Sequence, residues 1–134
     1  MANIVEIEGI GATYAEKLTA AGANTVEKLL ELGATPGGRK DLAEKAGCTD
    51  AQILDWVNRA DLMRINGVGS EYADLLEAAG VDSPKELAQR VPANLVAKFE
   101  EINAAKNLVR RVPTEPEVAK WVEQAKGLPQ VVTH

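Results

Sequence analysis

The segment Ile7–Leu18 reads I-x-G-[IV]-G-x-x-Y-A-x-x-L, and the same pattern returns 58 residues later over Ile65–Leu76. Two glycines separated by one apolar residue, followed at once by a helical pattern, leave few folds open. Glycine gives the backbone access to positive φ and to close approach by a neighbour or a ligand. Ile10 and Val68, each between two glycines, are placed to plug a core. A tight turn that opens a helix also exposes N–H groups without a partner inside the helix, and these attract an anion such as phosphate. Aligned from Ile7–Leu29 against Ile65–Leu87, ten of 23 positions are identical at one fixed offset, the mark of an internal duplication.

The chain between and after the two turns has helical spacing and helical punctuation. Residues Asn3 to Glu8 are too short a stub to assign. The first turn opens a helix from about Ala12 to Ala21, with Ala15 and Leu18 on its buried side and Gly22 placed to end it. Asn24 or Thr25 caps the next helix, Val26 to Leu32, with Glu27 as the reciprocal partner of Asn24. Thr35-Pro36 restarts the chain toward Gly47, with Gly37-Gly38 weakening the start. Thr49 to Gln52 is a capping box for an amphipathic helix through Ile53, Trp56, Val57 and Ala60.

The second half repeats this plan. A helix runs from Gly69 to Ala79, Ser83 to Glu86 is a capping box, a longer helix extends from about Asn94 to Val109, and a last one starts at Thr114 and carries Trp121-Val122 in the place of Trp56-Val57. The offset grows from 58 to 65 residues between those features, an addition close to two helical turns that predicts a lengthened helix in phase. The expected fold is all-α: about eight short helices in two tandem pseudo-symmetric halves forming one compact domain over 1–134. The first repeat is 4–61, the second is 62–128, and the tail 129–134, with Pro129, is expected to lie on the surface or fray.

With 46% apolar but only five aromatic residues, the core is built from Leu, Ile, Val and Ala. No apolar run reaches the roughly 20 residues that cross a bilayer, and no basic n-region with an apolar h-region begins the chain, so the expected location is the cytoplasm. Cys48 is the single cysteine and offers neither an internal disulfide nor a metal cluster. His134 is the single histidine and stands at the end of the sequence, which removes Ser-His and Cys-His nucleophile pairs. No P-loop or dinucleotide fingerprint is present. The expectation is a non-catalytic protein without a cofactor.

The pairing of I-x-G-[IV]-G-x-x-Y-A-x-x-L with T-x-x-x-[IV]-x-x-W-V resembles the tandem helix-hairpin-helix arrangement. It is similar most of all to an uncharacterised, mostly bacterial domain-of-unknown-function family of doubled hairpins, over about Ile4 to Leu128. The resemblance implies non-sequence-specific binding of the DNA backbone through the hairpin N–H groups, often with a Lys or Arg just after the second glycine and sometimes a monovalent cation on hairpin carbonyls. This chain departs from that pattern. Ala12-Thr13 follow Gly11 and Ser70-Glu71 follow Gly69, so neither turn supplies the cation.

The candidate nucleic-acid contacts are therefore Gly9, Ile10, Gly11 and Thr13 at the first turn and Gly67, Val68, Gly69 and Ser70 at the second, Thr13 and Ser70 as hydroxyl donors to phosphate. Lys98, Lys106, Arg110 and Arg111 are the basic residues best able to help, and Arg39, Lys40 and Lys45 are their counterparts in the first half. Trp56 and Trp121 fit base stacking less well than core packing, and Tyr14 and Tyr72 are expected to cover their turns. The net charge of −5 opposes tight non-specific binding of nucleic acid. Two functions remain: weak binding of nucleic-acid backbone through the hairpin turns, or a protein-interaction or self-associating scaffold in which the hairpins are structural.

Overall fold

The computed structural model describes residues 3–134, and the described chain is helical throughout. A 3-10 turn at Ile4–Glu6 precedes α1 (Ala12–Ala20), α2 (Val26–Leu32), α3 (Pro36–Ala46), α4 (Asp50–Leu62), α5 (Ser70–Ala78), α6 (Pro84–Ala88), α7 (Pro92–Lys106) and α8 (Glu115–Gly127). The only extended pairing among the described residues is an isolated bridge, Asn3 with Thr25. The chain divides into two compact units, one of Met1–Asp61 with Val131–His134 and one of Leu62–Gln130.

Local chemistry sets most of the helix ends. Hydroxyl side chains cap five helices: Thr25 accepts from the Lys28 N–H, Thr35 from Gly38, Thr49 from Gln52, Ser83 from Glu86 and Thr114 from Glu117. Thr25, not Asn24, is thus the cap of α2. Thr49/Gln52 and Thr114/Glu117 close full capping boxes, because the side chain at the third position bonds back to the threonine N–H. The Ser83 box is half made, since the Glu86 carboxylate turns to Arg90 at 2.7 Å. Gly22, Gly47 and Gly80 follow α1, α3 and α5 at φ of +98°, +67° and +89°, the left-handed geometry that ends a helix most cheaply with glycine.

In the first unit α1 and α2 both pack on α3. The buried side chains there are small and aliphatic, with Leu18, Leu29 and Ile53 fully enclosed. Gly33 and Gly38 permit this packing: a Cβ on Gly33 would lie 2.4 Å from Val57 Cγ2, and one on Gly38 2.1 Å from the Leu32 carbonyl oxygen. Gly38 therefore costs helix propensity but admits the backbone of the preceding turn, whereas open space surrounds Gly37.

The tail lies at the surface, with Pro129, Gln130, Thr133 and His134 exposed, yet it is pinned. Val132 is buried, and Thr133 donates its N–H to the Ala34 carbonyl at 2.8 Å. Arg39, expected among the surface cations, is 6% exposed and donates Nη1 to the Gly33 carbonyl at 2.9 Å and Nη2 to the Thr133 carbonyl at 2.6 Å. A charged fork between two carbonyls is a strong, directional arrangement, and it ties the last residues to the first unit.

In the second unit α6 and α7 both pack on α8, and α5 packs on α7, around Leu75, Leu76, Leu87 and Phe99. The extra length of this half is shared between helix and connection: α7 has 15 residues against 11 in α3, and the link that follows it is longer as well. Three residues, Gly47 to Thr49, join α3 to α4, whereas eight, Asn107 to Thr114, join α7 to α8. Asn107 ends α7 in the left-handed conformation (φ +51°), and the Asn103 side chain accepts the Val109 N–H at 3.0 Å. Those two asparagines are the reason that α7 stops at Lys106 and not at Val109.

Candidate functional site

Each glycine turn is closed by one backbone bond, Ile10 N–H to the Ile7 carbonyl at 3.1 Å and Val68 N–H to the Ile65 carbonyl at 3.0 Å. The third residue of each four-residue turn is the first glycine, Gly9 at φ +93° and Gly67 at +94°, where a type II turn requires positive φ. A tryptophan from a later helix lies directly beneath. The position of a Cβ on Gly9 is 3.2 Å from Trp56 Nε1, and that of a Cβ on Gly67 is 3.0 Å from Trp121 Nε1. Tyr14 stacks at a tilt on Trp56 with ring centroids 5.3 Å apart, and Tyr72 on Trp121 at 5.2 Å. Both indoles are 3% exposed, so they brace the turns from inside and are not free to stack on bases. Ile10 and Val68 are buried, as the alternation predicts.

The second glycine of each pair behaves differently. Gly11 and Gly69 take ordinary extended dihedrals, φ −81° and −97°, as the N-caps of α1 and α5. Nothing lies within 4 Å of a Cβ built on either. The packing does not demand glycine there. Neither helix has a side-chain cap, in contrast to the five capped by Ser or Thr. The first-turn N–H groups of both helices therefore face outward beside an exposed glycine, with Thr13 exposed in the first turn and Ser70 half-buried in the second.

The cations divide by position. Arg110, its side chain 92% exposed, reaches Glu71 in the first turn of α5 at 3.5 Å, which brings a guanidinium to the second turn from 39 residues further along the chain. Arg111 is drawn away: its guanidinium holds both oxygens of Glu117 at 2.7 and 3.0 Å, and its carbonyl accepts the Tyr72 hydroxyl at 3.1 Å. Lys106 is the exposed last residue of α7. Lys98 lies instead in a cleft beside Ala79. Ala79 and Gly69 cap opposite ends of α5, about 15 Å apart at 1.5 Å per residue. Near the first turn Lys17 Nζ lies 5.8 Å from the centroid of the Tyr14 ring, and Glu8 beside Gly9 is exposed.

Sequence reasoning missed two further parts of the second turn. Gln124, one helical turn beyond Trp121, brackets the Asn66 peptide: its Oε1 accepts the Asn66 N–H at 3.0 Å and its Nε2 donates to the Asn66 carbonyl at 3.3 Å. Its i+3 spacing from Trp121 was the available signal. Glu117 was legible only as part of the start of the last helix. Arg111, hydrogen-bonded to its carboxylate, with the Thr114 N–H adding to the effect, holds it at about 2 against an ordinary 4.5.

A carboxylate lowered in this way favours the folded state above its unfolded value, and that contribution fades as pH falls from about 4.5 to about 2. Carbon-detected titration of the Glu117 carboxyl should show a midpoint near 2 that returns toward 4.5 in Arg111→Gln; a wild-type midpoint near the ordinary value would contradict the pair. Cys48 is the opposite case, a half-buried thiol whose pKa burial pushes up against the opposing pull of Lys17, which leaves it a poor nucleophile. Among the described residues no three His, Cys, Asp or Glu side chains are grouped to hold a metal ion, and no helix is long and apolar enough to cross a membrane.

The fold and these turns define a small all-helical protein in which α1 and α5 start without a side-chain cap beside an exposed glycine. Residues 8–128 match the family described as Domain of unknown function (DUF4332), and the chain belongs to that family. No curated protein and no solved structure matches it.

Proposed function

We propose that the chain is a non-catalytic, cytoplasmic helix-hairpin-helix module, doubled by internal duplication, that binds nucleic-acid backbone weakly and without sequence preference through its glycine turns. One observation carries the reading: Gly11 and Gly69 are glycines that the fold does not require, each at an uncapped helix start with open space around it. A missing side chain at such a point admits a phosphate to the outward N–H groups. Arg110 supplies at the second turn the cation that the residues just after Gly69 lack. The second turn is accordingly the stronger contact, with Ser70 as an added donor and Lys106 within the same half.

Weakness follows from charge. The chain carries −5 overall, and Glu71 and Glu117 pair with the two arginines, so few counterions are released on binding, which keeps the affinity low even in dilute salt and its dependence on salt shallow. Those same carboxylate pairs favour a second reading, a protein-interaction or self-associating scaffold in which both turns serve the fold alone.

Aspartate at positions 11 and 69 separates the two. As an N-cap it satisfies the helix start better than glycine, while its carboxylate repels phosphate. Gly11→Asp with Gly69→Asp should keep or raise the melting temperature and lower affinity for a fluorescent duplex or single strand at low ionic strength by about tenfold or more. Absence of wild-type binding at low salt, or binding indifferent to both substitutions, would leave the scaffold reading.

A further inference from the structure

We propose that the second unit carries a separate site for a phosphate monoester with a compact organic body, in the open cleft between the C-terminal end of α5 and the N-terminal end of α7. The cleft encloses about 380 Å³, within the range of small-ligand sites. Ala79, Val91 and Leu95 form its apolar wall, and Gln89, Arg90, Asn94 and Lys98 supply the polar groups. No carboxylate lines it, in a chain where acids outnumber bases.

Arg90 is held in place, and all four polar groups are only partly engaged among the described residues. Arg90 is fixed by Nη2 alone, which donates to Glu86 Oε1 at 2.7 Å and to the Gly80 carbonyl at 3.3 Å. Its Nε and Nη1 have no partner among the described residues, and the same holds for the Lys98 ammonium and for the side-chain amides of Gln89 and Asn94. Beside them begins α7, the longest helix, whose N-cap Val91 has no side chain able to accept. Pro92 contributes no N–H, and those of Ala93 and Asn94 find no acceptor among the described residues.

Guanidinium, ammonium, two side-chain amides and two helix N–H groups outnumber what the two oxygens of a carboxylate accept, and they suit the three terminal oxygens of a phosphate dianion. Val91 is 56% exposed at the rim, an apolar group that gains by covering the ester's organic part. The Glu86–Arg90 pair acts as a positioning element, holding the guanidinium plane without neutralising Lys98.

The test is an amide-resolved nuclear magnetic resonance titration of the full chain with phenyl phosphate, with inorganic phosphate and phenol as separate arms. Saturable shifts should appear for phenyl phosphate at Ala79 and residues 89–98. Inorganic phosphate should move the same amides with weaker affinity, and phenol should move none. Lys98→Gln, at an exposed position on α7, should weaken phenyl phosphate about fivefold without altering the rest of the spectrum. Gly69→Asp should leave this affinity unchanged, so failure of the hairpin reading and failure of this site are read separately. Non-saturating shifts, shifts spread over unrelated lysines, or equal affinity in Lys98→Gln would overturn the proposal, and inorganic phosphate binding as tightly as phenyl phosphate would remove the organic half of it.

Discussion

Trp121→Ala should cost the second unit about 3–5 kcal/mol of stability, the usual loss when a buried tryptophan is truncated. The indole is 3% exposed, lies beneath Gly67 and stacks on Tyr72 at 5.2 Å. Its removal opens a cavity under the turn and frees the tyrosine whose hydroxyl anchors the Arg111 carbonyl. The chain has two tryptophans, one in each unit, so Trp56 remains in the variant as the fluorescent reporter of the first. Urea unfolding should therefore show the loss through helix content and through amide protection of α5 and α8. A loss below about 1 kcal/mol would mean that the turn is held by the Gln124 bracket and its own backbone bond instead.

Arg39→Ala should destabilise the first unit by about 2–4 kcal/mol. It leaves two carbonyls without their charged donor, that of Gly33 in a buried setting and that of Thr133 in a partly buried one. Arg39→Lys should recover only part of this, because a single ammonium does not reproduce a fork that reaches 2.9 and 2.6 Å partners at once. The specific readout is hydrogen exchange at Thr133, whose N–H to Ala34 bond of 2.8 Å holds the tail. Exchange at that amide should rise to the unprotected rate in Arg39→Ala. If it stays protected, Val132 burial alone holds the tail and the arginine is incidental.

These two residues mark where local reading stops. The turn positions, the apolar plugs Ile10 and Val68, the helix count and most caps were legible, because each depends on φ/ψ preference or on spacing within about one helical turn. The burial of both tryptophans followed from their place on an amphipathic face. The cap of α2 was narrowed to Asn24 or Thr25, and the choice between two adjacent residues lies at the scale where helix ends are least determined by pattern; it is Thr25. The end of α7 was misread for a stronger reason. Leu108 and Val109 continue the apolar rhythm, but Asn107 enters the left-handed region and Asn103 caps the next segment, so a side-chain hydrogen bond overrode periodicity.

Arg39 misled because a lone arginine amid Lys40, Asp41 and Lys45 reads as a surface charge, and nothing within a few residues reports the carbonyl of Thr133, 94 positions away. Arg110 was legible as a free cation near a helix end, but its approach to Glu71 depends on the path of the connection Asn107 to Thr114.

The two glycine pairs show the division most clearly. The sequence by itself determined that turns occur at Gly9–Gly11 and Gly67–Gly69, since a positive φ and a helix start are local demands on the backbone. Tertiary structure alone decided that the glycines of each pair differ in kind. Gly9 and Gly67 sit at positive φ against an indole from a helix some fifty residues later, while Gly11 and Gly69 take ordinary dihedrals beside empty space. What surrounds a Cβ is fixed by chain segments distant in sequence, and no local preference encodes it.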